Sequence, residues 1–107
     1  MKISVAIPLF QKAPYVARCL DSVAAQTHRD FEVIVVDDGS TDGGGDIVLS
    51  RQDRRFRLVR QDNAGEGAAR NRALAEASCE WVAFLDADDE WRPGFLEAAI
   101  NAVGSRD

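Results

Sequence analysis

The chain has 107 residues, 46% hydrophobic and 29% charged, with 13 basic and 18 acidic side chains giving a formal net charge of -5. That length holds one core rather than two, the balance excludes a disordered chain, and the negative charge argues against a general nucleic-acid binder, which needs a basic surface. No apolar run approaches the ~20 residues of a transmembrane helix, and Met1–Val5 enters a strand pattern without a signal-peptide core, so one cytoplasmic domain over residues 1–107 is expected.

Ile3, Val5 and Ile7 alternate with smaller residues and predict a strand over 2–7, which Pro8, lacking an N–H, is expected to end. Val16, Cys19, Leu20 and Val23 recur every three or four residues and mark an amphipathic helix over 15–25. Phe31–Val36 is a near-continuous run rich in β-branched residues, the pattern of a strand buried on both faces of a parallel sheet. Residues 42–53 are weakly helical, because Gly43, Gly44 and Gly45 cost backbone entropy. Phe56–Val59 reads as a third strand, Asn63–Gly67 as a turn, 68–77 as a helix and Trp81–Leu85 as a fourth, buried strand. A last helix is expected to start near Pro93, with Phe95, Leu96, Ala99, Ile100 and Val103 as its apolar stripe.

This βαβαβαβα alternation predicts an α/β fold: a doubly wound, mainly parallel, Rossmann-like sheet of four strands. Such sheets bind ligands beyond the carboxyl ends of the strands, where the strand order reverses. Pro8–Gln11, Asp37–Ser40 and Asp86–Asp89 all follow predicted strands and so share one rim.

Asp86-Ala87-Asp88 carries the strongest chemical signal. Two carboxylates one residue apart at a strand end can offer oxygens to one divalent cation, and hard oxygen donors suit Mn2+ or Mg2+. The competing reading is a solvated turn whose acids favour the start of the next helix. Asp37-Asp38-Gly39-Ser40 taken alone reads as a turn; its functional reading is a carboxylate accepting from a base N–H or a ribose hydroxyl. Backbone N–H groups of Asn63–Gly67 could hold an anion with help from Arg70, although glycine-rich helix entries are common. Cys19 and Cys79 lack metal-ligand spacing and are expected to be buried free thiols, His28 a loop residue, and Arg51, Arg54, Arg55, Arg57 and Arg60 a solvated face.

In order and spacing, several segments together resemble the N-terminal, nucleotide-sugar-binding half of glycosyltransferase family 2, which has the GT-A fold. They are Ile3–Phe10, Leu20–Val23 with Gln26-Thr27, Phe31–Asp42, Asn63–Gly65, Ala69–Asn71 and Phe84–Asp89. The resemblance implies a donor-binding domain for a nucleotide-diphospho-sugar, a UDP- or dTDP-sugar by family habit, in an inverting transferase. It implies that Pro8 and Phe10 line the base pocket and that Asp38 reads the base edge while Asp37 supports its loop. Arg70 would then lie near base or phosphates, Asp86 near ribose or metal, and Asp88 on the metal. Gln11 departs from the family's usual asparagine. The family's catalytic base lies beyond the metal motif, and the tail here offers only Glu97 and Asp107, so no catalytic residue is assigned and the chain alone is expected to be inactive. The alternative is a non-catalytic structural or oligomerisation module, dimerising through the edge and apolar face that a four-stranded sheet exposes. A haloacid-dehalogenase-type phosphatase is disfavoured because its Asp-x-Asp follows the first strand. A dinucleotide oxidoreductase is disfavoured because no GxGxxG follows Pro8–Gln11.

Overall fold

A computed structural model of the chain describes residues 1–104; Asp107 lies outside the described residues. The element order is β1 (Ile3–Leu9), α1 (Ala13–Ala24), β2 (Phe31–Asp38), α2 (Gly44–Leu49), β3 (Phe56–Gln61), α3 (Glu66–Glu76), β4 (Trp81–Phe84) and α4 (Phe95–Gly104). All strand pairs are parallel, in the order β3-β2-β1-β4. The order therefore reverses between β1 and β4, which opens a crevice at their carboxyl ends.

Strand periodicity divides the core into two layers. Val5, Ile7, Leu9, Val33 and Val35 pack with Val16, Cys19, Leu20 and Val23 of α1, Val48 of α2 and Leu96 of α4. Ala6, Ile34, Val36 and Val59 face the other way, against Ala69 and Ala73 of α3. These alanines let α3 lie close to the sheet, and Pro14 suits the first turn of α1, where its missing N–H costs nothing. Leu20 is fully buried in this layer, a position where truncation to alanine typically costs about 2–5 kcal/mol.

Pro8 does not end the first strand: β1 runs on to Leu9, with Pro8 in register with Val36. The reason lies in the ladder. The carbonyl of Ala6 accepts from Leu85 N at 3.0 Å, so Ala6 faces β4 and Pro8, two residues on, faces the same side. β4 has already ended at Phe84, opposite Ala6, and no partner is left for the N–H that proline lacks.

Two further expectations are corrected. β4 is an edge strand with Trp81 and Phe84 exposed, not a buried one, because only β1 pairs with it. Cys79 is half-buried rather than buried, although both cysteines are free. Elsewhere the basic cluster is only partly the solvated face expected: Arg54, Arg57 and Arg60 are exposed, but Arg51 and Arg55 are half-buried over the Phe56 and Phe31 rings. The pairs are Arg51 with Asp21, Arg55 with Asp53, Arg57 with Glu76 and Arg60 with Asp46. His28 sits in the loop before β2, its Nε2 near the carbonyls of Met1 and Asp30.

Candidate functional site

A cleft of about 500 Å³ opens at the reversal point, lined by Pro8, Leu9, Phe10 and Lys12 after β1, by Asp38, Asn63, Gly65, Glu66 and Ala69, and by Asp86, Ala87 and Asp88 after β4. Of the residues singled out in the sequence, Pro8, Phe10, Asp38, Asp86 and Asp88 line it. Asp37 does not. It is buried one residue earlier, where its Oδ1 accepts from Ser40 N at 3.0 Å and holds the loop after β2. Arg70 borders the cleft from α3: its Nη2 lies 3.1 Å from Glu66 and 3.4 Å from Asp86, and its guanidinium carbon is 5.9 Å from the Phe84 ring centre.

Asp38 is 2% exposed and accepts hydrogen bonds on both oxygens. Oδ1 takes Ala64 N at 2.8 Å and Gln61 Nε2 at 2.9 Å, while Oδ2 takes Gly65 N at 2.9 Å and Asn63 Nδ2 at 3.4 Å. The anion held by the glycine-containing turn is thus the chain's own carboxylate. Burial pushes the Asp38 carboxyl up, but the donors from Gln61, Ala64 and Gly65 outweigh it and hold it below the ordinary carboxylate value. The turn passes so close that a Cβ on Gly39 (φ +80°) would stand 2.9 Å from Asn63 N.

The loop after β1 is tied to the loop after β2 by Gln11, in the left-handed region at φ 52°. Its N–H donates to Ser40 Oγ at 3.1 Å, its Oε1 accepts from Thr41 N at 2.7 Å, and its Nε2 donates to Thr41 Oγ1 at 3.0 Å. Asparagine tolerates that backbone more readily, but the longer glutamine reaches across to the neighbouring loop. Asp42 adds a second tie, accepting from Ala13 N at 2.9 Å.

The segment after β4 is built differently. Leu85 and Ala87 are buried and the chain folds into a turn closed by Asp89 N donating to the Asp86 carbonyl at 3.0 Å, which leaves the side chains of Asp86, Asp88 and Asp89 exposed together. Asp86, Asp88 and Asp89 each offer an oxygen within 4.8 Å of the others, all three exposed. Lys12 Nζ lies 3.2 Å from Asp88. Beneath them the buried Cys19 thiol donates to the Asp86 carbonyl at 3.5 Å; burial first, then the acids at 89, 88 and 86, push it up to about 12. Behind them the fully buried Gln26 donates to Arg92 O at 2.7 Å and accepts from Leu96 N at 2.9 Å, fixing the loop to α4. Sequence reading did not single out Lys12, whose partner is remote in the chain. It quoted Gln26 only as part of a matching segment.

A parallel sheet with helices on both faces and an Asp-x-Asp beside the reversal point defines the GT-A class of glycosyltransferases. Solved structures of that class superpose closely. S. aureus TarS 1–349 in complex with UDP-GlcNAc matches with a TM-score of 0.91 and 35% identity, covering 98% of this chain and 32% of that one. A Pyrobaculum calidifontis mannosyltransferase in complex with GDP-Man and Mn2+ matches with 0.77 and 33%, covering 83% and 28%. The sequence profile described as Glycosyl transferase family 2 matches residues 4–107, and the chain belongs to that family. An uncharacterized glycosyltransferase of Nostoc sp., alr2836, is 43% identical over 110 residues, 100% of this chain and 34% of the relative. The chain thus spans about a third of that relative's length. Among the described residues no helix is long and apolar enough to cross a membrane.

Proposed function

We propose that the cleft binds the donor of an inverting glycosyl transfer, a nucleotide-diphospho-sugar held with one divalent cation, with uridine or thymidine diphosphate as the nucleotide part. The observation that carries this reading is the sharing of one cleft by an exposed ring, Phe10, and the paired acids of Asp86-Ala87-Asp88. A base stacks on the first, and charge on a diphosphate needs a cation on the second. The complexes of similar proteins, TarS with UDP-GlcNAc and the mannosyltransferase with GDP-Man and Mn2+, support it.

The donor set fits a small divalent ion. It consists of hard carboxylate oxygens, one each from Asp86, Asp88 and Asp89 within 4.8 Å of one another, near enough to share one ion. Asp88 and Asp86 would hold Mn2+ or Mg2+, and the bound ion would supply Lewis-acid neutralisation of the leaving diphosphate. Phe10 would stack on the base beside Pro8. Asp38 would accept a base N–H on Oδ2, where Asn63 at 3.4 Å is the longest contact and the easiest to exchange. Asp37 would act indirectly, by holding the Ser40 turn. Arg70 would orient Asp86 and present positive charge to the phosphates.

In a single displacement the acceptor hydroxyl must lose a proton to a carboxylate. Asp38, Asp86 and Asp88 have donor-side work in this reading and Glu66 is paired with Arg70 at 3.1 Å, so we assign none of them that step, and the 107-residue chain alone is expected to bind donor without transferring the sugar. We place the protein in the cytoplasm, a reading supported by two free cysteines.

Calorimetry with a panel of nucleoside diphosphates, with and without manganese, tests the proposal. We expect one nucleotide to bind in a metal-dependent way; equal weak heats for all would remove the reading. The exposed Trp81 and Phe84 of edge strand β4 favour, as a second reading, self-association as an oligomerisation module. Light scattering across a concentration series would count against it by showing a strict monomer.

A further inference from the structure

We propose that Lys12 is a further donor-binding residue, whose ammonium rests on Asp88 in the free protein and passes to the donor's diphosphate when a divalent cation takes that carboxylate. The inference rests on the donor-site reading above.

The two cations at the rim are held in different ways. Arg70 is pinned among Glu66, Asp86 and the Phe84 ring. Lys12 has Asp88 as its single carboxylate partner among the described residues, at 3.2 Å, with the two side chains 42% and 43% exposed. Its ammonium also lies 5.8 Å from the Tyr15 ring centre, so what separates the two cations is two carboxylate partners against one. Its backbone is fixed, because its carbonyl accepts from Tyr15 N and Val16 N at 3.0 Å each at the entry to α1. The unbranched, half-exposed stem can therefore swing about a fixed base once its one ion pair is broken, with the Tyr15 ring beside it. A compact ammonium suits this role better than a guanidinium would, since it needs no planar partner.

A divalent ion on Asp88 and an ammonium on the same carboxylate repel each other, so metal and Lys12 compete. Once displaced, the ammonium remains inside the cleft that its own side chain lines, where a diphosphate would carry the compensating charge. Removing the lysine charge must then move two equilibria in opposite directions. It relieves competition for the metal and deletes a charge-assisted contact to the phosphates.

The test is Lys12→Met in the 107-residue chain, with manganese uptake read from the electron paramagnetic resonance of the free ion and UDP binding read by calorimetry at saturating manganese. We expect manganese alone to bind about two- to fivefold more tightly, the span of a half-exposed ion pair. UDP should bind about tenfold more weakly, and Lys12→Arg should restore it. A lysine that only props the loop would weaken both equilibria in Lys12→Met. That outcome, or no change in either while the wild type binds both, overturns the inference. A wild type that binds neither manganese nor UDP fails the donor-site reading itself, and this inference with it.

Discussion

The rim of the sheet has two halves built on opposite plans. On one side the loops after β1, β2 and β3 are stapled together: Gln11 to Ser40 and Thr41, Asp42 to Ala13, and Asp38 to Gln61, Asn63, Ala64 and Gly65. The polar groups there spend their hydrogen bonds on the chain itself, which sets a wall in place before any ligand arrives. On the other side Asp86, Asp88 and Asp89 stand exposed on a firm floor, held only by two half-exposed ion pairs and free to exchange them. One half shapes the cleft, and the other keeps charge available. A buried carboxylate can be structural and its exposed counterpart chemical within a single cleft.

The contrast can be broken most sharply at the floor. Thiolate is the reactive form and reagent must reach it, so Cys19, fully buried and pushed up to about 12, should stay unalkylated at about pH 8 over the time in which the half-buried Cys79 reacts to completion. Mass spectrometry of iodoacetamide-treated protein reads this directly, and equal rates would mean that the floor opens.

Next in size is Asp38→Ala, which leaves the N–H groups of Ala64 and Gly65 without their acceptor and should cost about 3 kcal/mol by urea denaturation. The same carboxylate sets a pH sign. Its folded pKa is lowered, so its stabilisation is present above the unfolded value near 3.9 and is lost as pH falls through the folded value. Thermal melts should therefore be flat in this contribution from about pH 6 to 8 and decline below about pH 4, less steeply in Asp38→Ala. Gln11→Ala should cost about 1 kcal/mol, since its partners are exposed and water replaces them. At the small end, Asp88→Asn should change stability by less than about 0.5 kcal/mol, because the side chain is exposed, while removing manganese-dependent nucleotide binding.

What could be read in the sequence was whatever repeats locally. Apolar patterning and helix-forming composition placed all eight elements, 42–53 only weakly, and the two carboxylates of Asp86-Ala87-Asp88 stood out by their place just after the fourth strand. What escaped depends on contacts between remote segments. Pro8 was expected to stop β1, since whether a missing N–H matters depends on where a different strand ends. The glycine-containing turn before α3 looked ready for a ligand's anion, yet its N–H groups face Asp38 at the end of β2. Gln11 stood out as a departure from the family pattern, but only the fold shows the loop that its extra methylene reaches. Lys12 had no local signal at all, because its partner follows β4.

The most direct measurement of the central claim is a crystal of the chain grown with manganese and UDP, examined for anomalous scattering. We expect a manganese peak about 2.1 Å from a carboxylate oxygen of Asp88, with the base against Phe10. Crystals at saturating ligand in which Asp88 still pairs with Lys12, and manganese scatters nowhere in the cleft, would contradict the account.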